Sequence, residues 1–110
     1  MIEVINQIRS TLPAITHVDH TARLQSVNKE QNKDVYNIIK EFEKINGKAV
    51  LINTSFNVRG EPIVCTPSDA YKCFMRTGMD VLIMGDYYLI KKEQPNWQET
   101  ENWQETFELD

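Results

Sequence analysis

The segment Asn53-Thr54-Ser55-Phe56-Asn57-Val58-Arg59-Gly60-Glu61-Pro62 concentrates groups that grip anions. Thr54 and Ser55 supply hydroxyls and backbone N–H groups, and the Asn57 amide can donate or accept. Arg59 adds a fixed positive charge whose fork matches two phosphate oxygens at once. Gly60 permits a tight bend. The nearly all-apolar run Lys48–Asn53 leads into this segment and reads as a short strand buried on both faces. Ligands of α/β sheets bind where the carboxyl end of a strand opens into a loop. The competing reading is an ordinary turn in which Ser55 and Asn57 hydrogen-bond their own backbone.

The other candidate groups are sparser. Arg23 opens an alternating stretch and either meets solvent or faces an anion presented by the loop. His17 and Asp19 share a face of a strand at i, i+2, but nothing completes a metal-ligand set, so we expect a hydrogen-bonded structural pair and no metal site. Cys65 and Cys73 are too few for a disulfide framework or a thiolate zinc site. Cys73 falls inside an apparent helix and reads as a small buried apolar residue.

The elements around these groups follow from periodicity. Ile2, Ile5, Ile8 and Leu12 recur at helical spacing up to Pro13. Ala14–Asp19 and Arg23–Val27 alternate as strands, with a turn at His20-Thr21-Ala22. Val35, Ile38, Ile39, Phe42 and Ile45 form one apolar face of a helix near 32–46, started by Asn28 or Asn32 and stopped by Gly47. Thr66-Pro67-Ser68-Asp69 reads as a capping-box start for a helix near 67–77, with Ala70, Cys73, Phe74 and Thr77 inward. Val81–Met84, Gly85-Asp86 and Tyr87–Ile90 read as a hairpin. Together they predict an α/β fold: a mixed, twisted sheet with helices packed on it.

The whole chain has 110 residues and a net charge of −4, which is unevenly spread. Residues 93–110 hold six acids and no Lys or Arg, so residues 1–92 carry ten acids against twelve bases. A net of +2 on the folded part suits a small anion but is too small and scattered for a nucleic-acid stripe. No apolar run is long enough to span a membrane, and Met1-Ile2-Glu3 does not begin a secretory signal, so a cytoplasmic location is expected. We expect a domain over 1–92 and an acidic, disordered tail over 93–110. That tail repeats Asn-Trp-Gln-Glu-Thr, once from Asn96 and once from Asn102. It also reads as a docking peptide whose Trp97, Trp103 and Phe107 anchor on a partner or on this domain.

Two longer stretches carry a resemblance. Pro13-Ala14-Ile15-Thr16-His17-Val18-Asp19-His20-Thr21-Ala22-Arg23-Leu24-Gln25 resembles the P-A-V-T-H-V-D-G-(T/S)-A-R-x-Q stretch of the NodU/CmcH carbamoyltransferases. Leu51 through Ala70, containing Asn53-Thr54-Ser55-Phe56-Asn57 and Gly60-Glu61-Pro62-Ile63-Val64, resembles that family's L-L-N-T-S-F-N-x-x-G-E-P-I-V-x-(T/S)-P-x-D-A. Gly85-Asp86-Tyr87 also fits. The likeness covers about residues 13–92 and leaves out the tail, which looks peculiar to this protein. Thr54 through Pro62 is further similar to the T-S-A-N-x-S-G-E-P segment of YrdC-type threonylcarbamoyl-AMP synthases.

The resemblance implies a YrdC-like C-terminal portion of a domain that forms carbamoyl-AMP from ATP (with Mg2+) and carbamoyl phosphate. A separate acceptor-binding domain, absent from this chain, would pass the carbamoyl group to a hydroxyl acceptor. Ser55 and Asn57 then contact nucleotide phosphate or the carbamoyl group, Arg23 holds phosphate charge, and Thr54 and Arg59 line the nucleotide. Preorganised donors of this kind stabilise the charge that develops during adenylate formation. His20 stands where that family has Gly, so either the turn before Arg23 changes shape or His20 adds a contact of its own. Nothing before Pro13 resembles the Lys-x-Arg element of the YrdC fold, and the chain alone is expected not to turn over substrate. The alternative is a non-catalytic module, derived from that domain, that binds a nucleotide or a protein.

Overall fold

The computed structural model describes residues 2–3, 9 and 11–100. The chain divides into two compact units, residues 1–53 and 54–110, a boundary that falls inside the expected 1–92 domain.

In the first unit, β1 (Ile2–Glu3) pairs antiparallel with β2 (Thr21–Ala22), with Ile2 opposite Ala22 and Glu3 opposite Thr21. A helix starting at Ile2 is therefore not formed; residues 4–8 and 10 of that expected element lie outside the described residues. The strand expected over Ala14–Asp19 is also replaced. Pro13–Ile15 is a 3-10 turn, favoured because proline presets a helical φ. The Thr16 hydroxyl donates to Leu12 O at 3.0 Å. Asp19 then accepts from the Thr21 N–H at 3.0 Å and the Thr21 hydroxyl at 2.7 Å. Local side-chain bonds of this type compete with a ladder and here displace it.

The stretches expected as strands at 23–27 and 48–53 form no ladder among the described residues. They are linked through side chains, with Asn53 Nδ2 donating to Gln25 Oε1 at 3.3 Å. Ile52 is 64% exposed, not buried on both faces. An all-apolar strand is buried only when neighbouring strands and covering helices enclose it, and the described residues supply neither.

Helix α1 (Lys33–Asn46) matches its sequence reading. Asn32 Oδ1 accepts from the Val35 N–H at 3.2 Å. Gly47 closes the helix at φ 79, a backbone that costs glycine nothing. Its apolar face is not covered: Ile38 and Ile45 are exposed, while Ile39 and Phe42 are half-buried.

The second unit holds the better-formed core. Helix α2 (Pro67–Arg76) starts with a complete capping box. Thr66 Oγ1 accepts from the Asp69 N–H at 3.1 Å, and Asp69 Oδ2 accepts from the Thr66 N–H at 3.0 Å. Its inner face buries Ala70, Cys73 and Phe74. Strands β3 (Val81–Met84) and β4 (Tyr87–Ile90) form an antiparallel hairpin in which Leu82 faces Leu89. Leu82 joins Ala70 and Phe74 in the core, and Phe56, Val64, Met79, Met84 and Leu89 pack around it. Full burial of Phe74 contributes about 2–3 kcal/mol.

Lys91 finishes the core from one side. Its ammonium donates to Thr77 O at 2.7 Å and also to Phe74 O. It lies 4.3 Å from the centre of the Phe74 ring. Two carbonyls at the end of α2 thus gain a cation, the charge that a helix C-terminus favours. The fold is α/β in content, but the described strands are all antiparallel and fall into two separate pairs, β1–β2 and β3–β4. Among the described residues the single mixed sheet expected from sequence is not formed, because the segments meant to extend it have no ladder partners there. No described helix is long and apolar enough to cross a membrane.

Candidate functional site

The loop from Thr54 to Pro62 is shaped by Asn57. Its side-chain amide donates to Glu61 O at 2.9 Å and to Val58 O at 3.2 Å. The Glu61 N–H adds a bond to Val58 O at 2.9 Å. Gly60 sits inside this turn at φ 87, where a side chain would be strained. The Val64 N–H donates to Phe56 O at 3.0 Å, so the two limbs of the loop are tied together. Phe56 and Val64 pack against the core. Their packing anchors the loop to α2 and the hairpin.

This geometry divides the sequence-predicted residues by role. The Asn57 amide hydrogens are directed at the loop's own carbonyls, which is the turn-forming behaviour weighed against anion contact above. Thr54, Ser55 and Arg59 are exposed on the same loop. Hydroxyls and a guanidinium are groups that bind phosphate oxygens. Arg23 is exposed in the first unit, directly after β2. It adjoins an open depression lined by Leu24, Gln25, Tyr36, Ile39 and Lys40. Arg23 and the loop thus belong to different units of the chain.

The turn before Arg23 accommodates the histidine that stands in for glycine. His20 has φ 63, the left-handed region that glycine occupies without steric cost. The His20 N–H donates to His17 O at 2.9 Å, and the His17 N–H donates to Thr21 O at 2.8 Å. The Thr21 hydroxyl, followed by the Thr21 N–H, holds the Asp19 carboxyl below its ordinary value. Asp19 therefore acts here as the fastener of the turn, and the structure gives the His17-x-Asp19 pair a local structural role.

One pair went unassigned in the sequence. Glu61 lies in the Gly60-Glu61-Pro62 motif, yet only the structure gives it a partner. Arg76 Nη1 is 2.7 Å from Glu61 Oε1, and both side chains are almost fully buried. The same guanidinium holds Glu99 at two points, with Nε 2.7 Å from Oε2 and Nη2 3.0 Å from Oε1. Glu99, with Glu61 behind it, keeps Arg76 charged above its already high ordinary value. Cys73 is buried below this network, and burial pushes its thiol up. Cys65 is exposed, and its Sγ lies 3.2 Å from Ile63 O.

The tail contributes to the same surface. The Trp97 ring meets the Tyr71 ring edge-on, with centroids 5.7 Å apart, and its indole N–H reaches Glu99 Oε2 at 3.4 Å. Residues 101–110, including the second copy of the repeat, lie outside the described residues, so the disorder expected for that part falls outside them too.

Comparison with known proteins bears on this loop directly. Residues 1–92 match the family described as Carbamoyltransferase C-terminus. An uncharacterized protein of Synechocystis sp. is 56% identical over 109 residues, 99% of this chain and 18% of its own length. That alignment takes in the tail, so the tail is not peculiar to this protein as expected above. Nodulation protein NolNO of Sinorhizobium fredii is 48% identical over 84 residues, 76% of this chain and 12% of its own length. The 3'-hydroxymethylcephem-O-carbamoyltransferase of Amycolatopsis lactamdurans is 33% identical over 84 residues, 76% of this chain and 16% of its own length. The chain thus spans less than a fifth of the length of these relatives. With the family match running from residue 1 through the whole Asn53–Pro62 loop to residue 92, the chain belongs to the carbamoyltransferase C-terminus family.

Proposed function

We propose that this chain is the C-terminal part of a YrdC-like domain that forms carbamoyl-AMP from ATP and carbamoyl phosphate for transfer to a hydroxyl acceptor. The observation that carries this reading is the division of labour in the loop. Asn57 directs its donors at the turn that follows it, and Thr54 and Ser55 stand exposed just before that turn, with Arg59 exposed within it. Donors fixed before a substrate arrives need no reorganisation as charge builds on phosphate. Ser55 then supplies the phosphate-facing hydroxyl, with Thr54 and Arg59 near it in the same loop; for Arg23 the family resemblance alone supports a phosphate-holding role. Asn57 positions these groups. ATP arrives with Mg2+, which binds largely through phosphate oxygens and water and so requires no carboxylate cage from this chain.

The uncovered apolar surface supports a larger parent protein. Ile38, Ile45 and Ile52 are 53%, 84% and 64% exposed. Exposed large apolar side chains of this kind fit a surface that another part of a protein covers. The acceptor-binding domain is the part proposed to do so. On this reading the isolated chain binds nucleotide weakly and does not turn over.

Titrating ATP into the isotope-labelled chain tests this. Backbone amide signals of Ser55 through Gly60 should move, and Ser55→Ala should weaken the response. Silent loop signals up to millimolar ATP would overturn nucleotide binding by this loop. In that case the non-catalytic alternative, a protein-binding module, gains ground. Steady ATP- and carbamoyl-phosphate-dependent turnover by the chain alone would overturn its expected inactivity.

A further inference from the structure

We infer that Trp97-Gln98-Glu99 is a clasp that holds the Thr54–Pro62 loop in shape from behind, with Glu99 and Arg76 as positioning residues for the anion-binding groups of that loop. Loop and tail, far apart in sequence, share one planar cation. Arg76 Nη1 is 2.7 Å from Glu61 Oε1, while Nε and Nη2 hold Glu99 at 2.7 and 3.0 Å. A guanidinium presents its N–H donors in a rigid fork, so the edge that Glu99 holds fixes the direction of the donor that Glu61 receives. Glu61 passes this on to the loop. Its N–H donates to Val58 O at 2.9 Å, and its carbonyl accepts from the Asn57 amide at 2.9 Å. The backbone of Glu61 thus belongs to the turn that carries Arg59, and its carboxylate belongs to the Arg76 fork.

The tail has seats of its own that deliver Glu99 to this fork. Gln94 Nε2 donates to Ile90 O at 3.1 Å, and the Trp97 ring meets the Tyr71 ring edge-on. Glu99 is the outer of the two carboxylates, with its side chain 28% exposed against 11% for Glu61. Its release leaves Arg76 and Glu61 as a balanced pair, so the clasp opens without stranding a buried charge. Arg76 and Glu99 make further contacts of their own, so losing the fork between them loosens the clasp rather than dissolving it. A loop already held in shape binds more tightly than one its ligand must order, and such linkage is reciprocal. A docked tail therefore favours ligand on the loop, and ligand favours the docked tail. The effect on ligand rests on the nucleotide reading above, while the link between tail and loop stands apart from it.

The test compares Glu99→Gln with wild type in the full isotope-labelled chain. Glutamine keeps the size of the side chain but removes its charge and one of its two acceptor oxygens. Without ligand, hydrogen exchange at the Glu61 N–H should quicken about five-fold or more, while the Leu82 and Leu89 amides of the hairpin exchange as in wild type. Glu93→Gln, which removes the same charge from an exposed position before the clasp, should leave all three rates unchanged. Unaltered exchange at Glu61 in Glu99→Gln would overturn the link. Equal quickening at Leu82 and Leu89 would overturn it too, by making Glu99 a general stabiliser of the fold. With ATP as the probe, Glu99→Gln should raise the Kd of the loop response about five-fold, and an unchanged Kd would overturn the positioning role. A wild-type loop silent to ATP would count against the nucleotide reading alone, because the exchange comparison needs no ligand.

Discussion

Arg76 Nη1 lies 2.7 Å from Glu61 Oε1, which fastens the candidate loop to the last turn of α2 through an almost fully buried ion pair. Removing one partner of such a pair leaves the other charge in a poor solvent, and that imbalance costs more than the pair contributes. Arg76→Ala should therefore lower unfolding stability by about 3 kcal/mol. Arg76→Lys should recover only part of it, since a point charge cannot hold Glu61 and both oxygens of Glu99 together. Chemical denaturation of the three proteins measures this, and equal stability of the lysine and wild-type forms would refute the forked arrangement.

Asn57 and Ser55 should separate cleanly. Asn57→Ala deletes two donated bonds, leaving Val58 O with only the Glu61 N–H and Glu61 O without this donor, costing about 1–2 kcal/mol. Asn57→Asp should be at least as damaging, because it turns a carboxylate toward those two carbonyls. Ser55→Ala, at an exposed position, should change stability by less than about 0.5 kcal/mol. Its effect should appear only in the ATP titration.

His20→Gly should stabilise the turn before Arg23. The histidine occupies φ 63, which a side chain disfavours, while glycine adds freedom to the unfolded chain. These effects oppose each other, and the net expectation is a gain of about 0.5 kcal/mol. His20→Val, β-branched and poorly suited to positive φ, should lose stability. A thermal melt of both variants checks the ordering.

Lys91→Met keeps most of the aliphatic stem but removes the cation from the end of α2. Loss of the bonds to Phe74 O and Thr77 O should cost about 2 kcal/mol. Hydrogen exchange should show the last turn of α2 opening first.

Acid should weaken the fold at two fasteners. The Thr66 hydroxyl holds the Asp69 carboxyl below its ordinary 3.8, and Thr21 does the same for Asp19. A depressed folded-state value means the stabilisation is complete above the unfolded value near 3.8 and is lost as pH falls through the lower folded value. The melting temperature should thus be insensitive to these groups at neutral pH and drop below about pH 4. Asp69→Asn can still accept from the Thr66 N–H, so it should flatten part of that drop without abolishing the cap. An unaltered acid slope in this variant would show that Asp69 contributes nothing to it.

Much of this molecule was written in local sequence. Asn32, Gly47, Thr66, Pro67 and Asp69 mark the ends of α1 and α2 because caps are satisfied by neighbours a few residues away. Gly85-Asp86 marks the hairpin for the same reason. The loop motif pointed to its family, since its residue types are fixed by what lies within ten positions. Distant partners decided the rest. Whether Lys48–Asn53 becomes a strand depends on a ladder from elsewhere in the chain, and none forms among the described residues. The sequence marked Asn57 as a ligand and left Glu61 and Arg76 without roles. Only the tertiary structure turned the amide of Asn57 inward and brought Arg76 between Glu61, fifteen residues before it, and Glu99, twenty-three after it. Ion pairs across such separations leave no periodic trace in a sequence, because their geometry is set by the packing of the core that carries them.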